Sequence, residues 1–266
     1  MQAENSRPPV LCIGGLDPSG GAGLEADIEA VASCGGHALP IASCLTVQNS
    51  VQTFSVSGVD PQLIQQQAHA LIDDMPIVSC KIGVVPNKAI ISAIREILTQ
   101  LPNVPVVFDP VLSASHGSTF SNADTINAIK EILLPVVTVI TPNLSELATL
   151  TDNNDDITSQ AKALCQLGVN YVLATGADSH QDDDNVHNTL FNSEGMKEEY
   201  QWPRLPNSYH GSGCTLSSAL ACFLALGLDM SAAVNKAQQF TWRSLQNAQQ
   251  IGSGQWIPKR IDDANC

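Results

Sequence analysis

Five times along this chain a short apolar run gives way to a segment whose apolar residues recur with helical spacing. The runs are residues 10–14, 39–45, 78–82, 104–108 and 136–140, and the segments that follow them are 22–33, 61–73, 87–100, 123–134 and 144–150. Short continuous apolar runs suit strands buried on both faces. Their alternation with amphipathic helices demands a mostly parallel sheet covered on either side. The expected fold class is therefore α/β. A sixth strand is expected over 171–174, after a helix over 158–167 that ends at Gly168. Residues 178–188 are acidic and polar and predict a surface loop. Residues 189–192 and 198–202 predict an antiparallel pair turning at Glu194-Gly195, and helices are expected over 215–226 and 231–249. No linker-like stretch and no internal repeat divides the sequence. A single domain over 1–266 is expected, with 1–9 and a loosely ordered 252–266 as terminal extensions.

Composition limits what such a domain can bind. With 44% hydrophobic and 14% charged residues, the chain can build a large core. No apolar run reaches the roughly 18 residues of a membrane span, and residues 1–9 carry no signal-peptide core, so a cytoplasmic protein is expected. Eight cysteines without a Cys-x-x-Cys spacing read as reduced thiols rather than a zinc site or a disulfide framework. A net charge of −14 with only 12 Lys and Arg argues against nucleic acid or an anionic membrane as partner. Any nucleotide must be held by backbone amides, helix dipoles and Mg²⁺ more than by lysines.

Polar residues gather where the strands end. Asp17 follows the first strand, Gln48 the second, Lys81-Ile82-Gly83 the third, Asp109 the fourth, Asn143 the fifth and Thr175-Gly176 the sixth. Ligands of open α/β sheets bind beyond the carboxyl ends of the strands, so the alignment marks a site more firmly than any one motif.

His210-Gly211-Ser212-Gly213-Cys214-Thr215-Leu216-Ser217 opens a helix. The first amides of a helix have no partner within it, and glycines let an anion approach them. The stretch predicts an anion hole with the Cys214 thiol inside it, its pKa lowered by the helix end. It lacks the Walker A spacing, and a Ser/Gly-capped helix with a buried cysteine would use the same residues. The loop 14–23 carries Gly14, Gly15, Gly20, Gly21 and Gly23 and could wrap a small ligand or simply join strand to helix. Asp27, on the next helix, could accept from a ligand hydroxyl, though alone it fits a solvated helix face. The Gln48 amide suits the edge of a heterocycle, or an ordinary loop. Asn143 and Glu146 have capping-box spacing, and the same pair could hold hydrated Mg²⁺. Asp109 could be a second metal or phosphate-network carboxylate, or a turn cap. The six histidines have no metal-ligand spacing; His116 and His210 flank the glycine loops.

In combination these residues resemble the hydroxymethylpyrimidine/phosphomethylpyrimidine kinases of thiamine biosynthesis, within the ribokinase-like superfamily. The resemblance runs from about residue 10 to 249. Its markers are residues 14–23, Thr46-Val47-Gln48-Asn49, Lys81-Ile82-Gly83, Asp109-Pro110-Val111, residues 141–146 and residues 210–217. It implies ATP-dependent phosphorylation of the hydroxymethyl group of 4-amino-5-hydroxymethyl-2-methylpyrimidine, with a second phosphorylation, of the monophosphate, left open. It places pyrimidine contacts on Gly15, Asp27 and Gln48, with Asp17 in the same loop. Asn143, Glu146, Thr175 and Gly176 would serve ATP, and Asp109 and Glu146 would serve Mg²⁺. Cys214 would receive the substrate proton, while the amides of Gly211, Ser212, Gly213 and Cys214 would stabilise the transferring phosphoryl group. A homodimer is expected by analogy with the superfamily.

Two departures stand out. The family commonly has Lys-Gly-Gly-His where this chain has Thr175-Gly176-Ala177-Asp178, and a lysine near position 29 where this chain has Glu29. Arg204 or Lys81 is the candidate to compensate. The loss keeps two alternatives in view: a pyridoxal kinase, whose substrate also offers a hydroxymethyl on a nitrogen heterocycle, and a pyrimidine-binding protein without catalysis.

Overall fold

The computed structural model describes residues 7–113, 121–152, 156–177 and 184–261. Strand β1 (Pro9–Leu16) leads through α1 (Gly23–Ser33) to β2 (His37–Gln48), which turns back as β3 (Thr53–Gly58). Helix α2 (Pro61–Asp74) returns the chain to β4 (Ser79–Ile82), and α3 (Lys88–Thr99) to β5 (Val106–Phe108). Next come α4 (Ala123–Ala128), β6 (Val139–Ile140), α5 (Leu144–Thr151), α6 (Ile157–Gln166) and β7 (Tyr171–Thr175). The hairpin β8 (Asn185–Asn192) and β9 (Gly195–Pro203) precedes α7 (Ser212–Ala225) and α8 (Met230–Gln246).

All nine strands form one sheet in the order β3-β2-β1-β4-β5-β6-β7-β8-β9. The six from β2 to β7 are parallel, and β3, β8 and β9 add antiparallel edges. This is the α/β ribokinase-like fold. Along β1 the side chains alternate between two cores. Leu11 and Ile13 join Ile82, Phe108 and Val172 beneath α2, α3, α5 and α6. Val10 and Cys12 join Val107, Val139 and Leu173 beneath α1, α7 and α8. Because α1 crosses on one face and α3 on the other, a crevice opens between the ends of β1 and β4.

Four expectations are corrected. Strand β3 was not foreseen, because Thr53, Ser55 and Ser57 make it look like a loop; it forms by pairing with β2 at the sheet edge. The helix expected over 123–134 stops at Ala128 and continues as one π turn and one 3-10 turn. Pro135 lies in the latter and has no N–H to extend an α-helix. The acidic loop expected over 178–188 is strand from Asn185 onward, and residues 178–183 lie outside the described residues. Residues 253–261 are not loose, and residues 262–266 lie outside the described residues. Gln249 pairs with Ile257 and Tyr209 with Trp256, and Arg260 is buried. No helix among the described residues is long and apolar enough to cross a membrane.

Candidate active site

The loop before α7 meets the loop after β1. Gly211 is the N-cap of α7 with φ +82, a left-handed conformation in which a side chain is strained. A Cβ there would lie 2.1 Å from the Gly21 carbonyl oxygen, so the two glycine loops touch backbone to backbone. Thr215 fixes the Gly211 carbonyl twice, through its N–H (2.9 Å) and its hydroxyl (2.7 Å). In a trans peptide the following N–H points the opposite way, so the Ser212 amide is turned out of the helix end. No side chain caps that end. The amides of Ser212, Gly213 and Cys214 are therefore directed at whatever occupies the space above them, and Gly213 is exposed there.

Beneath this end lies a buried polar cluster. The Cys214 thiol sits among Asp109, Asp27 and Lys81, close enough for their charges to act on it. Ser217 Oγ donates to Asp109 Oδ2 at 3.3 Å. Lys81 Nζ lies 2.7 Å from Asp27 Oδ1, which also accepts from Ser218 Oγ at 2.6 Å. Burial alone would discharge Lys81, but Asp27, Cys214 and Asp109 outweigh it and raise its pKa. Burial raises the Asp109 carboxyl, and Lys81 opposes that. The expectation of an acidic Cys214 is corrected. Burial pushes the thiol up to about 12, with Lys81 opposing and Asp109 and Asp27 adding to the rise.

The two aspartates expected to touch substrate sit differently. Asp17 is spent on the protein. Its Oδ1 accepts from Ser19 N (2.9 Å) and Ser19 Oγ (2.8 Å), and its Oδ2 from Ala22 N (2.9 Å) and His210 Nε2 (2.8 Å). Burial works against its charge, but His210 and Ser19 prevail and hold the carboxyl below the usual range. Asp17 is thus a clamp between the glycine loops, which corrects its expected role. Asp27 is wholly buried, yet its Oδ2 has no partner. That oxygen lies 3.6 Å from where a Cβ of Gly14 would stand, at the carboxyl end of β1. Gly15 is flat against Cys44, whose Sγ would be 3.1 Å from a Cβ. Gln48, half-buried at the end of β2, accepts from Thr53 Oγ1 at 3.0 Å, which leaves its NH₂ available.

On the other side of α7, Asn143 and Glu146 form the capping box of α5, at 2.8 and 3.0 Å. Glu146 Oε1 also accepts from Leu112 N at 3.4 Å, tying α5 to the loop after Asp109. Thr175 bridges to Asn143, and Gly176 N is held by Asn188 Oδ1 at 3.0 Å. Arg204 donates to the Ala177 carbonyl at 2.9 Å, so a cation does reach the segment where the family lysine is missing. Lys81, the other candidate, is locked to Asp27. His116 lies outside the described residues.

No group of three or more His, Cys, Asp or Glu side chains among the described residues could hold a metal ion. Asp109 faces Cys214 and Ser217, while Glu146 faces two backbone amides. Such a donor set suits a hydrated Mg²⁺ carried in by nucleotide phosphates rather than a caged one. Sequence reasoning missed Arg260. It lies next to Lys259 in a tail with no recognisable motif, and only the fold brings it to Gly21 and Thr215.

The family model described as phosphomethylpyrimidine kinase matches residues 17–258. A hydroxymethylpyrimidine/phosphomethylpyrimidine kinase of Haemophilus influenzae is 33% identical over 251 residues, covering 92% of this chain and 93% of that protein. The fold overlays a pyridoxal kinase of Bacillus subtilis, solved as an ADP complex, with TM-score 0.86 and 26% identity, over 96% of this chain and 98% of that one. It overlays a phosphomethylpyrimidine kinase of Clostridium difficile with TM-score 0.77 and 29% identity, over 90% of this chain and all of that one.

Proposed function

The chain belongs to the phosphomethylpyrimidine kinase family, a family of phosphotransferases, and from that premise we propose that it transfers the γ-phosphoryl group of ATP to the hydroxymethyl of 4-amino-5-hydroxymethyl-2-methylpyrimidine. The observation that carries the reading is the uncapped N-terminus of α7, with Gly211 at φ +82 and Cys214 within its first turn.

Phosphoryl transfer passes through a loose transition state, so positioning and charge stabilisation matter more than deprotonation. The amides of Ser212, Gly213 and Cys214 supply fixed dipoles toward the transferring group. Asn143 and Thr175, joined by their bridge, present the ends of β6 and β7 to the nucleotide, with Gly176 beside them. Mg²⁺, when bound with ATP, neutralises phosphate charge near Glu146. Gln48 offers its NH₂ to the heterocycle over Gly15, and the orphaned Asp27 Oδ2 is the acceptor for the exocyclic amine. Cys214 is neutral in the free chain, with the Asp109 carboxyl beside it. The hydroxyl proton, released late, passes to Sγ as Sγ gives its own proton to the Asp109 carboxylate. The same site can accept the monophosphate, in thiamine biosynthesis or salvage. The chain is proposed to act as one cytoplasmic domain and as a homodimer.

Pyridoxal is the second reading, favoured by the higher TM-score against a pyridoxal kinase. A coupled ADP-release assay with Mg-ATP, run in parallel on the hydroxymethylpyrimidine, its monophosphate and pyridoxal, separates the two. Turnover on the pyrimidine is the expected result. Turnover on pyridoxal alone transfers the assignment. Silence in all three, with retained pyrimidine binding, overturns catalysis.

A further inference from the structure

The C-terminal segment touches the turn after β2, the first glycine loop and the residues that open α7. Gln255 N donates to the Ser50 carbonyl (2.9 Å) at the end of the β2 hairpin side, and Gln255 Nε2 to Ser208 Oγ (2.9 Å) and the Tyr209 carbonyl (3.2 Å) just before α7. His210 N donates to the Trp256 carbonyl at 2.9 Å. Arg260 then enters between the two glycine loops. Its Nε donates to Thr215 Oγ1 (2.8 Å), one terminal nitrogen to the Gly21 carbonyl (2.5 Å) and the other to Glu29 Oε2 (3.1 Å). Arg260 is 3% exposed, and its counter-ion is Glu29.

We propose that Arg260 is a positioning residue for phosphoryl transfer, setting the distance between the first glycine loop and the N-terminus of α7. The inference rests on reading that terminus as the phosphoryl site. The path is continuous. Arg260 holds Thr215 Oγ1, Thr215 Oγ1 holds the Gly211 carbonyl, and that carbonyl fixes the Ser212 amide. The guanidinium simultaneously pins the Gly21 carbonyl, the atom against which Gly211 packs. A planar fork with donors on three nitrogens can serve three acceptors at set angles; an ammonium on a flexible stem cannot. Glu29 neutralises the guanidinium, so its work is geometric. A displacement near an ångström at a reacting centre can lower the rate about a hundredfold.

The test compares wild type, Arg260→Ala and Arg260→Lys, full length, by steady-state kinetics and by hydrogen exchange of the Thr215 amide, which is bonded to the Gly211 carbonyl. For Arg260→Ala, kcat is expected to fall about a hundredfold with the pyrimidine KM changed less than about threefold. Exchange of the Thr215 amide should speed up as its bond to the Gly211 carbonyl loosens, and millimolar guanidinium should restore part of kcat. Arg260→Lys should keep the fold yet lose about tenfold in kcat, a test that stands if the alanine variant fails to fold. Wild-type kcat in either folded variant overturns the proposal, as does a loss that guanidinium cannot reverse alongside unchanged exchange. A wild type that turns over no substrate retracts the kinase reading instead, and the exchange comparison still decides for or against Arg260.

Discussion

Gly211→Ala adds one methyl group at the most crowded point of the site. Two costs follow. At φ +82 a side chain is strained by about 1–2 kcal/mol. The new Cβ would also stand 2.1 Å from Gly21 O, 2.9 Å from Ala22 Cα and 2.9 Å from an Arg260 terminal nitrogen. Two of these are backbone, so the loops must part, at an overpacking cost of about 1–3 kcal/mol. The sum, of order 2–5 kcal/mol, corresponds to a fall of roughly 5–15 °C in Tm for a chain of this size. The separation also moves the Ser212 amide, so kcat should drop about a hundredfold. Gly213→Ala is the control for stability. Its Cβ would lie 3.6 Å from Asp109 Oδ2, an ordinary contact, and it sits in the first turn of a helix, where alanine is favoured over glycine by up to about 1 kcal/mol. Its Tm should equal or exceed the wild type's. Scanning calorimetry on both proteins checks the pair. A wild-type Tm for Gly211→Ala, or equal losses in both variants, would refute the argument that the two glycine loops are in contact.

Cys214→Ala should lower kcat by about 10²–10⁴-fold and leave KM near its wild-type value; an unchanged kcat removes the thiol from proton transfer. Thr175→Lys should lower the KM for ATP about fivefold, the roughly 1 kcal/mol of a partly exposed charge contact, and an unmoved KM shows that position 175 does not face phosphate. Asp17 is held below the usual carboxylate range, so the stability it contributes is complete above about pH 4 and is lost as pH falls through its folded value. Removing the His210 partner should shrink that difference, and Tm measured from about pH 3 to 6 for wild type and His210→Ala should converge at the acid end. Lys81→Met strands Asp27 and Asp109 in the core and should destabilise the chain by about 3–5 kcal/mol in urea unfolding.

The parallel sheet and its helices were legible because strand and helix periods differ and the apolar runs were clean. Where polarity hid the pattern, it failed: Thr53–Gly58 is a strand held by its neighbour rather than by its own residues. The uncapped helix start was legible in Gly211 to Cys214, since a glycine-rich helix start has one obvious geometry. The partners of Asp17 were not. A carboxylate in a glycine loop looks the same whether it faces a ligand or a histidine 193 residues away. The Cys214 expectation weighed the helix end and omitted burial beside two carboxylates, which dominates. Arg260 gave no signal at all, because long-range contacts made by a single side chain leave no periodicity in sequence.

The buried cations resolve how a chain of charge −14 can present a phosphate site. Lys81 is paired with Asp27, and Arg260 with Glu29. Arg204 is turned toward carbonyls of the loop after β7 and the start of β8. The two paired charges build the site rather than bind its ligand. Lys81 keeps two carboxyl groups and the Cys214 thiol together under α7, and Arg260 keeps two glycine loops together above them. In the proposed reaction the phosphates then face the backbone itself, whose dipoles need no counter-ion and do not reorganise as charge develops. In the proposed reaction a lysine at 175 would add ground-state attraction to ATP, whereas the amides of residues 212–214 would act where the transferring group carries its charge. Losing the first weakens KM; losing the alignment of the second weakens kcat. On this account the chain can dispense with the family lysine and remain a kinase, but it cannot dispense with the contact between Gly21 and Gly211.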